Sequence, residues 1–174
     1  MITYKYKVYG GLQMILYHGS TEIVNKPEIR ESKTYLDFGM GFYTTTSFEQ
    51  AQRWAQIKMR RQNSDKCYVS VYEFDFEKAK KDFCIKQFKN ADEEWLIFVV
   101  KNRSGEKSEN NADMHIGPVA DDNVYQSIRL FETGAYDAEY TVKKLKTETL
   151  HDQWTLHTNE IIKYLKFIEA KEID

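Results

Sequence analysis

The 174 residues of this chain are enough for one domain with its own hydrophobic core, and we expect a single domain over 1–174. The 25 basic and 27 acidic side chains nearly cancel and leave a net charge of −2. This balance excludes a protein that holds nucleic acid through an overall positive charge, although a local basic patch stays possible. With 41% hydrophobic and 30% charged residues, the composition is that of a folded protein rather than a disordered one.

The chain carries no pattern typical of a membrane span, a secretion signal or a metal site. No apolar run approaches the roughly 18 residues of a membrane helix, and the first residues lack the apolar core of a signal peptide. We therefore expect a cytoplasmic protein with no membrane partner. Cys67 and Cys84 fall in different predicted elements, which favours free thiols. Because C-x-x-C and H-E-x-x-H motifs are absent, we expect no metal.

The pattern of apolar and turn-forming residues predicts a mixed order of strands and helices. Ser47 is a suitable N-cap for a helix that begins at Phe48, and Gln50 stands at the capping-box position. In chain order we predict strands at 4–9, 13–17 and 42–45, a helix at 48–61, strands at 68–76 and 83–88, a helix at 92–102, a mobile polar loop at 104–112, a strand at 114–119, helices at 122–131 and 137–146, a strand at 153–158 and an apolar stretch at 159–167. This order favours an α+β fold over a doubly wound parallel sheet.

Three residues invite a functional interpretation, and each also has an ordinary structural one. His18 ends an apolar strand before a Gly-Ser pair, where the backbone can approach a ligand closely, but taken alone it is more typical of a hydrogen-bonded histidine at a strand end. Tyr43 follows a turn that contains Gly39 and Gly41, and this turn lacks the G-x-G-x-x-G pattern of a dinucleotide-binding fold. Trp54, taken alone, predicts an anchor of the core.

Taken in order, these residues form a longer pattern. Tyr-His-Gly-Ser occupies 17–20, Gly-Phe-Tyr-Thr-Thr occupies 41–45, and Trp54 follows in the next predicted helix. This order resembles the ADP-ribosyltransferase fold of the diphtheria toxin and poly(ADP-ribose) polymerase branch. In that branch His-Gly ends the first core strand, Gly-x-Tyr begins the second, and a further aromatic residue lies on the following helix. The resemblance implies a split antiparallel β-sheet core with flanking helices.

The chain as a whole is similar to DUF3990, a bacterial family of unknown function, over about residues 13–168. Five segments in the same order carry this similarity, which makes it fairly specific. They are 16–20 (Leu-Tyr-His-Gly-Ser), 36–45 (Leu-Asp-Phe-Gly-x-Gly-Phe-Tyr-Thr-Thr), 50–55 (Gln-Ala-x-x-Trp-Ala), 117–122 (Gly-Pro-Val-Ala-Asp-Asp) and 152–158 (Asp-Gln-x-x-Leu-His-Thr).

The transferase resemblance implies that NAD is the substrate and that a cleft binds it with the nicotinamide glycosidic bond exposed. His18 would hydrogen-bond the ribose on the adenosine side, and the Gly19 backbone would meet the nicotinamide carboxamide. Tyr43 and Trp54 would flank the nicotinamide, where stacking on the cationic ring contributes about 0.5–2 kcal/mol. The other residues that the resemblance assigns to NAD binding are Tyr17, Ser20, Gly41 and Thr44.

The expected catalytic acid is the point at which the sequence departs from this resemblance. The related enzymes place a Glu on a late strand, and the residue that matches it here is Gln153, the third catalytic candidate beside His18 and Tyr43. A Gln side chain accepts a hydrogen bond from a ribose hydroxyl but brings no negative charge to the transition state. Asp121 and Asp122 are possible substitutes, and they are equally typical of an ordinary helix start.

Three functions remain open at this stage. The resemblance implies a mono-ADP-ribosyltransferase that acts as a toxin on a macromolecular acceptor, protein or nucleic acid, with a small antitoxin as its partner. Without the catalytic Glu, the chain could instead be a module that binds NAD, another nucleotide or a partner and transfers nothing. A nuclease-like toxin would use His18 with His115 or His157. Glu160, another acid near the late strand, is expected to belong to the final helix.

Overall fold

The computed structural model describes residues 7–8, 11–30, 36–105, 111–119, 122–145 and 150–173. Asp121 and most of the predicted loop at 104–112 lie outside these residues. The described strands and helices, in chain order, are β1 (Lys7–Val8), β2 (Gly11–Ser20), β3 (Phe42–Thr44), α1 (Phe48–Gln62), β4 (Cys67–Asp75), α2 (Phe76–Asp82), β5 (Ile85–Gln87), α3 (Glu93–Ser104), β6 (Met114–Pro118), α4 (Asp122–Glu132), α5 (Ala138–Leu145), β7 (Asp152–Leu156), α6 (Asn159–Ile162) and β8 (Leu165–Ile173).

The strands form two four-stranded sheets, which confirms the α+β prediction. The first sheet has the order β1-β2-β4-β8 and the second the order β3-β7-β6-β5. All pairs are antiparallel except β5 with β6, which is parallel and so departs from the expected antiparallel core. The reason is the connection between these two strands. Helix α3 lies between them in the chain, and a crossover of this kind returns the chain in the same direction.

The two sheets meet at a backbone bridge between β2 and the residue that follows β3. The N–H of Tyr17 donates to the carbonyl of Thr45 at 2.8 Å, and the N–H of Thr45 donates back at 3.0 Å. This bridge brings the end of β2, with His18, next to β3, with Tyr43.

Apolar residues cover both faces of the second sheet. One core cluster contains residues of both sheets, among them Leu16, Trp154 and Leu156. A second cluster, with residues of α3, α4 and α5, includes Phe38 and Trp95. Because side chains alternate along a strand, the residues of β7 between those of the first cluster face the second one.

Local sequence signals placed helix α1 correctly and failed at the ends of two strands. The Ser47 side chain accepts a hydrogen bond from the Gln50 N–H at 3.2 Å, as the capping prediction required. The strand predicted to end at Tyr17 continues to Ser20, because β4 pairs with it from Gln13 to Ser20. The strand predicted at 68–76 stops at Asp75, whose side chain caps the unpredicted helix α2.

Asp152 joins the start of β7 to the segment that leads into α1. Its Oδ1 accepts hydrogen bonds from the Thr45 hydroxyl and the Thr46 N–H, both at 2.9 Å. Its Oδ2 accepts from the Thr46 hydroxyl at 2.8 Å and from the Trp154 indole N–H at 2.7 Å. One carboxylate therefore satisfies four donors, two of them on the buried residues Thr45 and Trp154.

We predict that Asp152→Ala lowers the free energy of unfolding by about 3 kcal/mol, because it leaves buried donors without an acceptor. Asp152→Asn keeps one oxygen and should lose less than the alanine variant. In the Asp152→Asn variant, the NH₂ group of the amide would face the Trp154 indole N–H. Both groups are donors, so this hydrogen bond would be lost. Urea denaturation of the three proteins measures both differences. Equal stability of the alanine variant and the parent would contradict this role for the carboxylate.

No helix of the described ranges is both long enough and apolar enough to cross a membrane. Within the same ranges, no group of three or more His, Cys, Asp or Glu side chains is placed to hold a metal ion. Cys67 is buried, Cys84 is exposed, and both are free thiols.

Candidate functional site

His18 lies at the junction of the two sheets and is held from the β3 side. Its Nδ1 donates a hydrogen bond of 2.6 Å to the backbone carbonyl of Tyr43. Its ring stacks on Phe42, with 4.5 Å between the ring centroids and 26° between the planes. Two of the residues that the sequence pattern combined, His18 and Tyr43, are therefore in direct contact.

The surroundings of His18 keep its imidazole neutral. Burial lowers its pKa to about 3, and the positive charge of Lys58 adds to this effect. The Tyr43 carbonyl acts in the opposite direction, and Arg30 lowers the pKa slightly further. Because a carbonyl can only accept, the proton of the neutral ring is on Nδ1. The Nε2 atom is then a hydrogen-bond acceptor, suited to a hydroxyl group of a ligand.

Gly19 combines a close helix contact with an unpaired backbone edge. A Cβ atom at this position would lie 2.0 Å from the carbonyl oxygen of Ala51, so only glycine lets α1 pack on β2 here. Backbone groups of successive strand residues point to opposite sides, and those of Tyr17 point toward Thr45. Gly19 is two residues further along β2, so its N–H and C=O point to the same side as those of Tyr17. They lie past the bridge between Tyr17 and Thr45. Outside the pairing of β2 with β4, no backbone hydrogen bond to another described residue involves them.

Tyr43 has its hydroxyl bound within the preceding turn. The hydroxyl donates to the Gly39 carbonyl at 2.6 Å and accepts from the Phe38 N–H at 3.1 Å. Burial raises the pKa of Tyr43 far above its usual value, with a further contribution from the carboxylate of Asp37. The phenol is therefore neutral and does not act as a base. Its ring packs against the second core cluster.

Gln153 lies on β7 and shares a face of the second sheet with Tyr43. Tyr43 pairs with Thr155 across β3 and β7, and Gln153 is two residues from Thr155 on the same strand. Gln153 is only 7% exposed, and its Nε2 has no hydrogen-bond partner among the described residues. The structure thus places Gln153 on the same face of the second sheet as Tyr43, with its side chain covered.

In the described part of the chain, no ring contact joins Trp54 to His18 or Tyr43. It lies on α1, is 41% exposed, and carries the guanidinium of Arg61 over its ring at 5.6 Å. The exposure of Trp54 does not fit the expected anchor of the core. Its contact with Arg61 does not fit a ring that already faces Tyr43.

The remaining NAD-binding candidates have structural contacts of their own. The Tyr17 ring meets Phe48 edge to face at 5.4 Å. The Thr44 hydroxyl donates to the Trp154 carbonyl at 3.0 Å. The Ser20 hydroxyl accepts from a backbone N–H at 3.4 Å.

The candidate acids lie elsewhere or are not described. Asp122 is the first residue of α4, and the structure does not describe its side chain. Glu160 lies on α6, as expected, and is exposed. The acid beside Gln153 is Asp152, whose four hydrogen bonds occupy it. Sequence reasoning missed this role because three of its four donors lie on Thr45 and Thr46, more than a hundred residues away.

Residues 14–167 match the family described as Protein of unknown function (DUF3990). The chain belongs to this family. The matched range agrees with the one expected from the sequence motifs. Among curated proteins, none matches the chain. The description of DUF3990 names no activity, so the function has to be argued from the site itself.

The DUF3990 protein brings together two histidines that the nuclease hypothesis had treated as alternatives. His115 Nδ1 lies 3.0 Å from His157 Nε2, and His157 Nδ1 donates to the Met40 carbonyl at 2.7 Å. Burial lowers the pKa of both rings, that of His115 to about 3, with smaller contributions to His115 from His157 and Lys86. His115 is fully buried, so it offers no ring nitrogen to a phosphate of RNA.

Two surface pockets of the described DUF3990 residues lie away from this junction. One, of about 470 Å³, is lined by residues of α3 and α5 such as Glu93 and Val142. The other, of about 220 Å³, is lined by residues that include Phe88, Gly117 and Trp154. Neither pocket borders His18, Tyr43 or Trp54.

Proposed function

We propose that this DUF3990 protein is an NAD-dependent mono-ADP-ribosyltransferase. The observation that carries the proposal is the hydrogen bond from His18 to the Tyr43 carbonyl at the junction of two sheets. Around this bond lie the elements that the resemblance requires in one place. They are a His-Gly strand end, a Gly-x-Tyr strand beside it, and Gln153 on the strand paired with the latter.

The chemical groups at the junction suit the two ends of a bent NAD molecule. Nε2 of His18 is an acceptor, which a ribose hydroxyl can donate to. The edge N–H and C=O of Gly19 present one donor and one acceptor, the complement of a carboxamide. The ammonium of Lys58, close enough to lower the pKa of His18, supplies positive charge for the diphosphate.

The proposed reaction breaks the bond between the ribose C1′ and the nicotinamide nitrogen. The electron pair of that bond goes to the pyridine ring, and nicotinamide leaves as a neutral molecule. The ribose passes through an oxocarbenium-like state, and a nucleophile of the acceptor attacks C1′ and loses its proton. The amide oxygen of Gln153 would accept a hydrogen bond from a ribose hydroxyl. Because it is uncharged, we expect slow, single transfer rather than chain growth.

The family resemblance supports two extensions of this proposal. The acceptor would be a macromolecule, protein or nucleic acid. The protein would act as a toxin in the cytoplasm, and a small antitoxin protein would cover the junction.

A second candidate is a binding module without transferase activity. The observation that favours it is the neutral, covered side chain of Gln153, which offers no negative charge to a cationic transition state. Such a module would bind NAD and release no nicotinamide. The nuclease hypothesis has less support, because His18 lies outside the buried His115–His157 pair and all three pKa values are lowered. A neutral imidazole cannot serve as the general acid.

The deciding experiment is nicotinamide release from labelled NAD, with a bacterial lysate as the source of acceptor. We compare the parent with His18→Ala and with His151→Ala, a matched control whose described contact is a backbone carbonyl. Release by the parent and the control, lost in His18→Ala, supports the transferase and the transferred label identifies the acceptor class. NAD binding without release favours the binding module. No binding by the parent refutes both.

We predict that Gln153→Glu increases nicotinamide release by roughly tenfold or more, because it adds a charge where the oxocarbenium forms. The new carboxylate would be buried, so its pKa should be raised. Activity should then increase with pH as this group ionises. Stability should decrease as the pH rises from the ordinary Glu pKa to the raised value, and it should level off above that value. Rate and urea-denaturation profiles against pH measure both effects. A variant no faster than the parent at any pH would show that Gln153 is not in the acid position.

A further inference from the structure

Two histidines hold the two ends of one short backbone segment, residues 40–43. At its start, His157 Nδ1 donates to the Met40 carbonyl at 2.7 Å. At its end, His18 Nδ1 donates to the Tyr43 carbonyl at 2.6 Å. The segment therefore links His157, which no proposed substrate contact uses, to His18, which the proposed function depends on.

The segment has little freedom to move between these two bonds. A Cβ atom on Gly41 would lie 2.7 Å from the Leu156 carbonyl oxygen and 3.1 Å from His157 Nδ1. The backbone of Gly41 thus lies directly against β7 and the His157 ring. The next residues form β3, which pairs with β7 in register. A shift at Met40 would be transmitted along this segment to the Tyr43 carbonyl.

The orientation of His157 is set by His115. The Met40 carbonyl can only accept a hydrogen bond, so the proton of neutral His157 is on Nδ1. The Nε2 atom of His157 is then an acceptor. His115 Nδ1 must then be the donor in the 3.0 Å contact between the two rings. One tautomer is thereby specified for each ring.

The His115 ring cannot turn away from this contact easily. It is fully buried and lies among three phenylalanine rings, with centroid distances of 4.7 Å to Phe98, 5.8 Å to Phe38 and 6.0 Å to Phe88. Its Nε2 has no partner among the described residues, so the contact with His157 is the one that orients it.

We propose that His157, oriented by His115, is a positioning residue that fixes the tautomer and placement of His18 through the segment 40–43. This proposal rests on the proposed function for its effect on NAD, but the coupling between the two histidines does not. His157 touches no substrate in this scheme. It determines where the Tyr43 carbonyl lies, and that carbonyl determines which nitrogen of His18 carries the proton.

The test compares His157→Ala, His157→Asn and the control His151→Ala in the full chain. Asparagine places an N–H near the Nδ1 position and so keeps a donor for the Met40 carbonyl, whereas alanine removes it. The first readout is the ¹⁵N spectrum of the His18 imidazole, assigned with His18→Ala, which reports its tautomer. The second is the affinity for NAD and the rate of nicotinamide release. Thermal unfolding confirms that each variant is folded.

We expect His157→Ala to convert His18 from a single Nδ1–H form to a mixture of tautomers. We expect it also to weaken NAD binding or release by roughly tenfold to a hundredfold, as for a displaced catalytic group. His157→Asn should restore both readouts, and the control should leave both unchanged. A folded alanine variant with an unaltered His18 spectrum would overturn the proposal, as would an asparagine variant that restores nothing. If the parent neither binds NAD nor releases nicotinamide, the proposed function is refuted. The His18 spectrum of the variants then still shows whether His157 sets the tautomer of His18.

Discussion

Gly19→Ala is expected to destabilise the protein by about 3 kcal/mol or more, the upper range for overpacking in a core. The added Cβ would lie 2.0 Å from the Ala51 carbonyl oxygen and 2.8 Å from the Ala55 nitrogen. Both are backbone atoms of α1, so no side chain can rotate out of the way. The helix has to move away from β2 by more than an ångström, which opens the packing between them.

Urea denaturation of Gly19→Ala and of Ser20→Ala measures this effect. Ser20 is the next residue of the same strand and lies on the other face, so it reports the general cost of a change in β2. We expect a large drop in the denaturation midpoint for Gly19→Ala and a small one for Ser20→Ala. Equal midpoints would mean that α1 adjusts without loss, and the close helix contact would not explain the glycine.

The parts of this fold that sequence reasoning predicted are those specified by neighbouring residues. Helix α1 follows from a Ser47 cap and apolar spacing, both of which act within a few residues. Helix α2 and strand β8 were missed because their signals are weak locally. Strand β8 has exposed charged residues such as Lys166 and Glu172, and it is a strand because β4 pairs with it.

In the candidate site, too, the features specified by neighbouring residues could be predicted and those specified by distant residues could not. Strand alternation places Gln153 and Thr155 on one face of β7, because the period of two is a local property. It could not predict that this face is covered, since the covering residues come from α3, α4, α5 and the segment around Phe38. The contacts of Asp152 with Thr45 and of His157 with Met40 join residues more than a hundred positions apart. Sequence spacing contains no information on such contacts.

These distant contacts suggest why the motifs of DUF3990 occur as separated segments. The segment at 152–158 contributes Asp152, which fixes the backbone that leads into α1, and His157, which fixes the backbone that leads into β3. The segment at 36–45 supplies two of the groups that these residues hold, the Thr45 hydroxyl and the Met40 carbonyl. These two family segments are therefore joined to each other on either side of Tyr43.

The second large effect that we expect is a loss of stability in mild acid. Burial lowers the pKa of His115 to about 3 from the ordinary value of 6.5. Between these values the unfolded chain binds a proton at this residue and the folded chain does not. The free energy of unfolding therefore falls as the pH decreases below 6.5, by about 1.4 kcal/mol per pH unit for this group. At pH 4.5 the loss from His115 amounts to about 2–3 kcal/mol. His18, with its lowered pKa, changes stability in the same direction.

His115→Phe separates this effect from general acid denaturation. Phenylalanine suits the aromatic surroundings formed by Phe38, Phe88 and Phe98, and it does not titrate. At pH 7 the variant should be somewhat less stable than the parent, because His157 loses its donor. Between pH 7 and pH 4.5 it should lose about 2–3 kcal/mol less than the parent, as measured by urea denaturation at each pH. The partly exposed control His151→Ala should follow the parent. Parallel curves for parent and His115→Phe would show that the buried ring takes up its proton without unfolding.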